Sequence, residues 1–77
     1  MPHVIVKMHP GRSEAQKARL AAAIVKDVMA ITNVGDEAVS VAIEEVKPAD
    51  WADQVYGPDI INGAGTLYKQ PGYNPFA

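Results

Sequence analysis

The chain contains no cysteine. That excludes disulfides and any thiolate metal centre. Its two histidines, His3 and His9, are six residues apart and match no metal-ligand spacing, so no metal or other cofactor is expected. No charge of one sign dominates: seven Lys and Arg stand against nine Asp and Glu, for a net charge of -2. The signs are interspersed, which leaves no basic face for general nucleic-acid binding. No apolar run approaches the roughly 20 residues of a membrane-spanning helix. No signal peptide is visible, so the expected location is cytoplasmic. Repeats, low-complexity tracts and internal linkers are also missing. Glu44 and Glu45 alternate across a strand and point to opposite faces, so they form no carboxylate dyad. Gly63-Ala64-Gly65-Thr66 lacks a third glycine and a preceding strand, so it is no phosphate cradle. The 77 residues are expected to form one domain, 1–77, whose core is marginal at this length. Without disulfides or metal, homo-oligomerisation is the expected source of further stability.

What is present begins at the second residue. Met1-Pro2 precedes a strand-like run, His3-Val4-Ile5-Val6-Lys7-Met8. Aminopeptidases remove an initiator Met that precedes a small residue such as proline. Pro2 then carries a free secondary amine at the head of a strand. A terminal α-amine titrates near about 7.7–8.0 in a free peptide. An apolar pocket or a nearby cation lowers that value by disfavouring the ammonium form. The result is a neutral base at physiological pH. With Met1 attached, the same nitrogen is a tertiary amide without useful basicity.

The rest of the chain reads as strand, helix, strand. The first strand covers about Pro2 to Met8, with Val4, Val6 and Met8 on one face and His3, Ile5 and Lys7 on the other. His9-Pro10-Gly11-Arg12 makes the turn. Ser13 is the expected N-cap, with Gln16 completing a capping box. A helix over about Glu14 to Thr32 carries Ala18, Ala21, Val25, Val28 and Thr32 as an apolar stripe, widened by Leu20, Ile24 and Ile31. Asn33 and Gly35 supply the stop. The second strand covers about Ala38 to Val46. A right-handed crossover makes the two strands parallel. Pro48 and Asp50 open a short helix running to about Tyr56, which Gly57-Pro58 is expected to break. Asp59 to Lys69 is a weaker helical candidate because of Gly63 and Gly65. An extended tail follows, with Tyr73 and Phe76 expected to pack on a neighbouring subunit. The fold class is α+β: two parallel strands, a long crossover helix, a short C-terminal helix and an extended tail.

These pieces resemble the 4-oxalocrotonate tautomerase superfamily, small enzymes with an amino-terminal proline. The resemblance covers roughly Pro2 to Trp51. Pro2 matches the catalytic base of that family. Gly11-Arg12-Ser13 with Gln16-Lys17 matches the segment opening its helix, and Arg12 falls on the arginine that binds a substrate carboxylate. Trp51 falls at or beside an aromatic wall of the site. Pro48-Ala49-Asp50-Trp51 and the Lys69 to Tyr73 tail resemble a short bacterial subgroup, the PptA-like tautomerases. That subgroup is dimeric, which favours a homodimer over a hexamer.

The resemblance implies an isomerase that interconverts keto and enol groups. The reaction is a 1,3-proton shift on a small 2-oxo acid, phenylpyruvate-like or 2-hydroxymuconate-like, with Pro2 as base and then acid. Arg12 would orient the carboxylate, and Trp51 would exclude water and stack on an aromatic substrate. The family's second arginine falls near Ser40, and serine lacks the bidentate fork of arginine. A substrate with one carboxylate and an apolar end is therefore expected. Ser40 or a backbone N–H is the candidate donor to the carbonyl oxygen. Tyr56 and Tyr68 are read as packing or interface residues, and His3 and His9 as exposed or interfacial, with His3 adjoining the key amine. Two alternatives stand beside this reading. One is a hydratase or dehalogenase of the same superfamily, for which no water-activating constellation is visible. The other is a non-enzymatic oligomeric binding module.

Overall fold

A computed structural model describes residues 1–76. Ala77, the last position of the expected domain, lies outside the described residues. The chain divides into two compact units, residues 1–45 and the segment from Val46 onward.

In the first unit, β1 (His3–Met8) leads through α1 (Glu14–Thr32) to β2 (Ser40–Glu45). The strands pair in parallel, from His3 opposite Ser40 to Met8 opposite Glu45. Strand, helix and parallel strand form the expected βαβ unit, with β2 two residues shorter at its start and one at its end, and with a single 3₁₀ turn, Asp36–Ala38, before it. Strand alternation sends Val4, Val6 and Met8 to one face with Val41, Ile43 and Glu45. α1 lies on that face: Lys17 Nζ reaches Glu45 Oε2 at 3.5 Å. The opposite face carries His3, Ile5 and Lys7 beside Ser40, Ala42 and Glu44, and Ile5 there is 50% exposed.

The start and stop of α1 follow from side-chain chemistry. Ser13 Oγ accepts from Gln16 N at 3.1 Å, and Gln16 Oε1 accepts from Ser13 N at 2.9 Å. Two otherwise orphaned N–H groups are thereby satisfied. At the other end Asn33 adopts φ 59° and its N–H donates to the Met29 carbonyl at 3.0 Å. Asparagine tolerates this left-handed conformation better than most residues. Removing the cap hydroxyl with Ser13→Ala is expected to cost about 1 kcal/mol. At fixed protein concentration that lowers Tm by roughly 4–8 °C. An unchanged melting curve would show that the capping box contributes nothing.

The apolar stripe of α1 is narrower than its sequence suggests. Ala21, Ile24, Val25 and Val28 are half-buried, whereas Ile31 is 82% exposed and Leu20 37%. A sheet of only two strands covers a narrow strip of helix. Farther round, Ala22, Val25, Met29, Ala30 and Val34 line an open apolar groove.

The second unit begins with α2 (Pro48–Trp51), with Pro48 in its first turn, where a missing N–H is tolerated. It then departs from expectation. Gly57-Pro58 does not break the helix; the chain continues as a π-helix over Ala52–Ile61. Bonds there run five residues back, as from Asn62 N to Gly57 O at 3.0 Å. The wider turn absorbs Pro58, which only fails to donate one bond. Gly57 suits the position, since a Cβ there would lie 3.3 Å from the Ala52 carbonyl oxygen. The weaker helix expected over Asp59 to Lys69 ends at Ile61. A Cβ on Gly63 would collide with the Asp59 carbonyl, so the chain leaves the helix through a residue without one.

Val55 and Tyr56, 5% and 8% exposed, are the only buried residues among those described. The tail does not wait for a neighbour. Tyr73 and Phe76 pack on Tyr56 of the same chain, with ring centroids 5.5 and 5.7 Å away. Tyr56 Oη also donates to the Tyr73 carbonyl at 3.3 Å. An aromatic cluster closes locally because Tyr56 presents both a ring and a hydroxyl to the returning chain.

Candidate active site

Pro2 is half-buried at the head of β1. Its carbonyl accepts from Ser40 N at 3.2 Å, so the first residues are held in the sheet ladder. The same pairing places His3 opposite Ser40, and His3 Nδ1 lies 2.6 Å from Ser40 Oγ. Pro2, His3 and Ser40 thus form one cluster, at the end of the parallel pair where both strands begin. Met1 is 99% exposed.

Arg12 is not in that cluster. It lines a cavity of about 210 Å³ with Met8, Gln16, Lys17 and Leu20, where β1 ends and α1 begins. At ~3.3 Å per residue, β1 is about 20 Å long, and the Pro2 cluster and the Arg12 cavity stand at its opposite ends. The capping box at Ser13 fixes the backbone beside Arg12 and turns the N-terminus of α1, with its free N–H groups, toward this region.

Two cations border this cavity, but their situations differ. Lys17 Nζ lies 2.7 Å from Glu14 Oε1 and 3.5 Å from Glu45 Oε2. The Glu14 hydrogen bond, against partial desolvation and with help from both carboxylate charges, holds the Lys17 ammonium above its ordinary pKa. A raised lysine pKa favours the folded state at any pH below the unfolded value, and the gain fades only as pH rises through the folded one. Lys17 is therefore charged but already neutralised across the physiological range. Arg12 makes no ion pair among the described residues. Its guanidinium is the cation in this cavity left to meet an anion, and its fork suits a carboxylate.

Trp51 belongs to the second unit. Its Nε1 donates to Tyr73 Oη at 2.8 Å, and the ring is half-buried. The tail thus fixes the indole orientation. Among the described residues no group of three or more His, Asp or Glu could hold a metal ion, and no helix is long and apolar enough to cross a membrane.

Sequence reasoning named Pro2, Arg12, Ser40 and Trp51. It did not see that Arg12 falls at the far end of the strand from Pro2, nor that His3 is coupled to Ser40. The second point was within reach: once the strands are parallel, pairing Pro2 with the start of β2 sets His3 and Ser40 side by side on the face away from α1.

Comparison with known proteins agrees with this architecture. A family model described as Tautomerase enzyme matches residues 2–57. A probable tautomerase of Xylella fastidiosa (strain 9a5c) is 46% identical over 77 residues, covering 100% of this chain and 94% of the relative. The tautomerase PptA of Enterobacter sp. (strain 638) is 39% identical over 75 residues, covering 96% and 99%. Among solved structures, a chain of the heterohexameric 4-oxalocrotonate tautomerase of Chloroflexus aurantiacus J-10-fl superposes with a TM-score of 0.64 at 37% identity, over 66% of this chain and 82% of that one. Strand, capped helix and parallel strand, together with this similarity over nearly the full length, place the chain in the tautomerase enzyme family, within the 4-oxalocrotonate tautomerase superfamily and its PptA-like branch.

Proposed function

We propose that this tautomerase moves a proton between the enol oxygen and the adjacent carbon of a 2-oxo acid bearing one carboxylate and an apolar end. The base is the prolyl amine exposed when Met1 is removed; the full exposure of Met1 supports that removal. Neutral Pro2 nitrogen takes the enol hydroxyl proton. The electron pair returns through the enol carbon–carbon double bond, and the same nitrogen delivers its proton to carbon. One group serves both steps because both positions lie within reach of one atom. Arg12 holds the carboxylate through paired N–H donors. Trp51, its orientation fixed by Tyr73, is the aromatic residue proposed to stack on an apolar or aromatic substrate end.

The observation that carries this reading is the position of Pro2 at the head of β1, tied to Ser40 through its own carbonyl. The separation of Pro2 from Arg12 adds a requirement. A 2-oxo acid is far shorter than β1, so a complete site takes Pro2 from one copy and Arg12 from another. Antiparallel pairing through the free edge of β1 achieves this, because it sets the head of one strand against the tail of its twin. The assembly is then a homo-oligomer, with a dimer as the smallest sufficient one.

The test begins with intact mass measurement, which should show a chain lacking Met1. The rate of phenylpyruvate enol ketonisation is then followed against pH. It should climb as the amine loses its proton and level off once the base form is complete. A flat profile from acid through neutrality would reject an amine base.

A further inference from the structure

The hydrogen bond between His3 and Ser40 suggests a role for a residue that the proton-transfer scheme leaves idle. This inference rests on Pro2 acting as the base. When neutral Pro2 takes the enol proton, negative charge develops on the substrate oxygen. Stabilising that charge needs a donor aimed at it. Arg12 is committed to the carboxylate. Beside Pro2 stand the side chains of His3 and Ser40; the Ser40 N–H is already bound to the Pro2 carbonyl at 3.2 Å, which leaves its hydroxyl to donate.

A serine hydroxyl has one proton to give. Its direction depends on the imidazole 2.6 Å away. With Nδ1 unprotonated, Ser40 spends its proton on His3 and presents only lone pairs to the substrate. With Nδ1 protonated, His3 donates to Ser40 Oγ, and the hydroxyl proton points elsewhere. We propose that His3, in its Nδ1–H form, is a positioning residue: it turns the Ser40 hydroxyl toward the enolate oxygen and strengthens it as a donor. Polarisation along such a chain reinforces each bond. The pair is a cross-strand pair held by the register of the parallel sheet. Both side chains lie on the face away from α1, beside Ile5 and Ala42, where an apolar substrate end would be accommodated. No proton leaves His3 during turnover. The transferred proton passes from enol oxygen to Pro2 nitrogen to carbon, and the Ser40 proton is shared with the oxyanion and retained.

The test compares wild type, Ser40→Ala, His3→Leu, His3→Asn and the double variant Ser40→Ala with His3→Leu, with Pro2→Ala run beside them. Loss of one oxyanion donor commonly costs about 10²-fold in kcat. Ser40→Ala should show a loss of that order, with KM little changed. His3→Leu should lose roughly tenfold, in kcat rather than KM, as expected for an interaction made in the transition state. His3→Asn, whose amide N–H sits near the position of Nδ1–H, should recover most of that loss. The double variant should be no worse than Ser40→Ala alone, because His3 acts only through Ser40. Nitrogen-15 NMR of the imidazole should show a protonated Nδ1 in wild type and a change of tautomer in Ser40→Ala. Wild-type kcat in both single variants, losses that multiply in the double variant, or an unprotonated Nδ1 would each overturn the role of His3 while leaving Pro2 untouched. An inactive wild type, or Pro2→Ala at the wild-type rate, would instead remove the amine base, and this inference with it.

Discussion

Pro2→Ala is expected to lower kcat for enol ketonisation by about 10²-fold or more, within the span commonly supplied by a positioned acid–base group. The substitution is informative because alanine is also small enough to allow removal of Met1. The variant therefore keeps a free amine at the same place, and the loss reports on the prolyl nitrogen rather than on a blocked terminus. Alanine has a primary amine on a freely rotating bond, whereas the pyrrolidine ring fixes the direction of its nitrogen lone pair. Stability should change little, because the Pro2 carbonyl, which accepts from Ser40, is a backbone group that alanine retains. A second sample with Met1 still attached should be inactive at every pH, since an amide nitrogen cannot serve as the base. Equal turnover by wild type and Pro2→Ala, with both masses lacking Met1, would remove Pro2 from the mechanism.

Arg12→Ala is expected to reduce kcat/KM by about 10- to 100-fold, mostly through KM, in line with the worth of a hydrogen bond to a charged group. The cavity should persist, because Met8, Gln16 and Leu20 still form its walls. The more decisive measurement is complementation. Pro2→Ala and Arg12→Ala are each strongly impaired alone. Co-expressed, the two chains form hybrids in which Pro2 of one copy meets Arg12 of the other. One of the two sites in each hybrid is intact. With random pairing, about a quarter of the sites should work, as two-fold symmetry requires. If one chain supplied both residues, mixing would restore nothing. Activity no higher than the average of the two parents would show that the site does not cross the interface.

Much of the first unit was legible in the sequence because its signals are local. Ser13 and Gln16 fix the start of α1 through bonds three residues apart, and Asn33 marks its end. Alternation in Val4 to Met8 and Val39 to Ile43 identifies the strands, and a 19-residue helix between them makes a parallel crossover. The second unit was less legible for a physical reason. Gly57-Pro58 stops an α-helix because proline removes a bond and crowds the carbonyl four residues back. In the π-register the partner is five residues back and the turn is wider, so the same dipeptide passes through. The fate of Tyr73 depended on contacts 17 and 22 residues away, with Tyr56 and Trp51, which no periodicity reports. In the candidate site, residue identities were visible but their distribution was not. Chemistry nominates Pro2 and Arg12 as the proposed base and anchor, and only the extended geometry of β1 shows that one copy keeps them apart.

The thin interior has a consequence for stability. With only Val55 and Tyr56 shielded among the described residues, this polypeptide has little to hold it together in isolation. In the proposed dimer, each tenfold rise in concentration would add about 1.4 kcal/mol to apparent stability. The melting temperature should therefore climb with protein concentration.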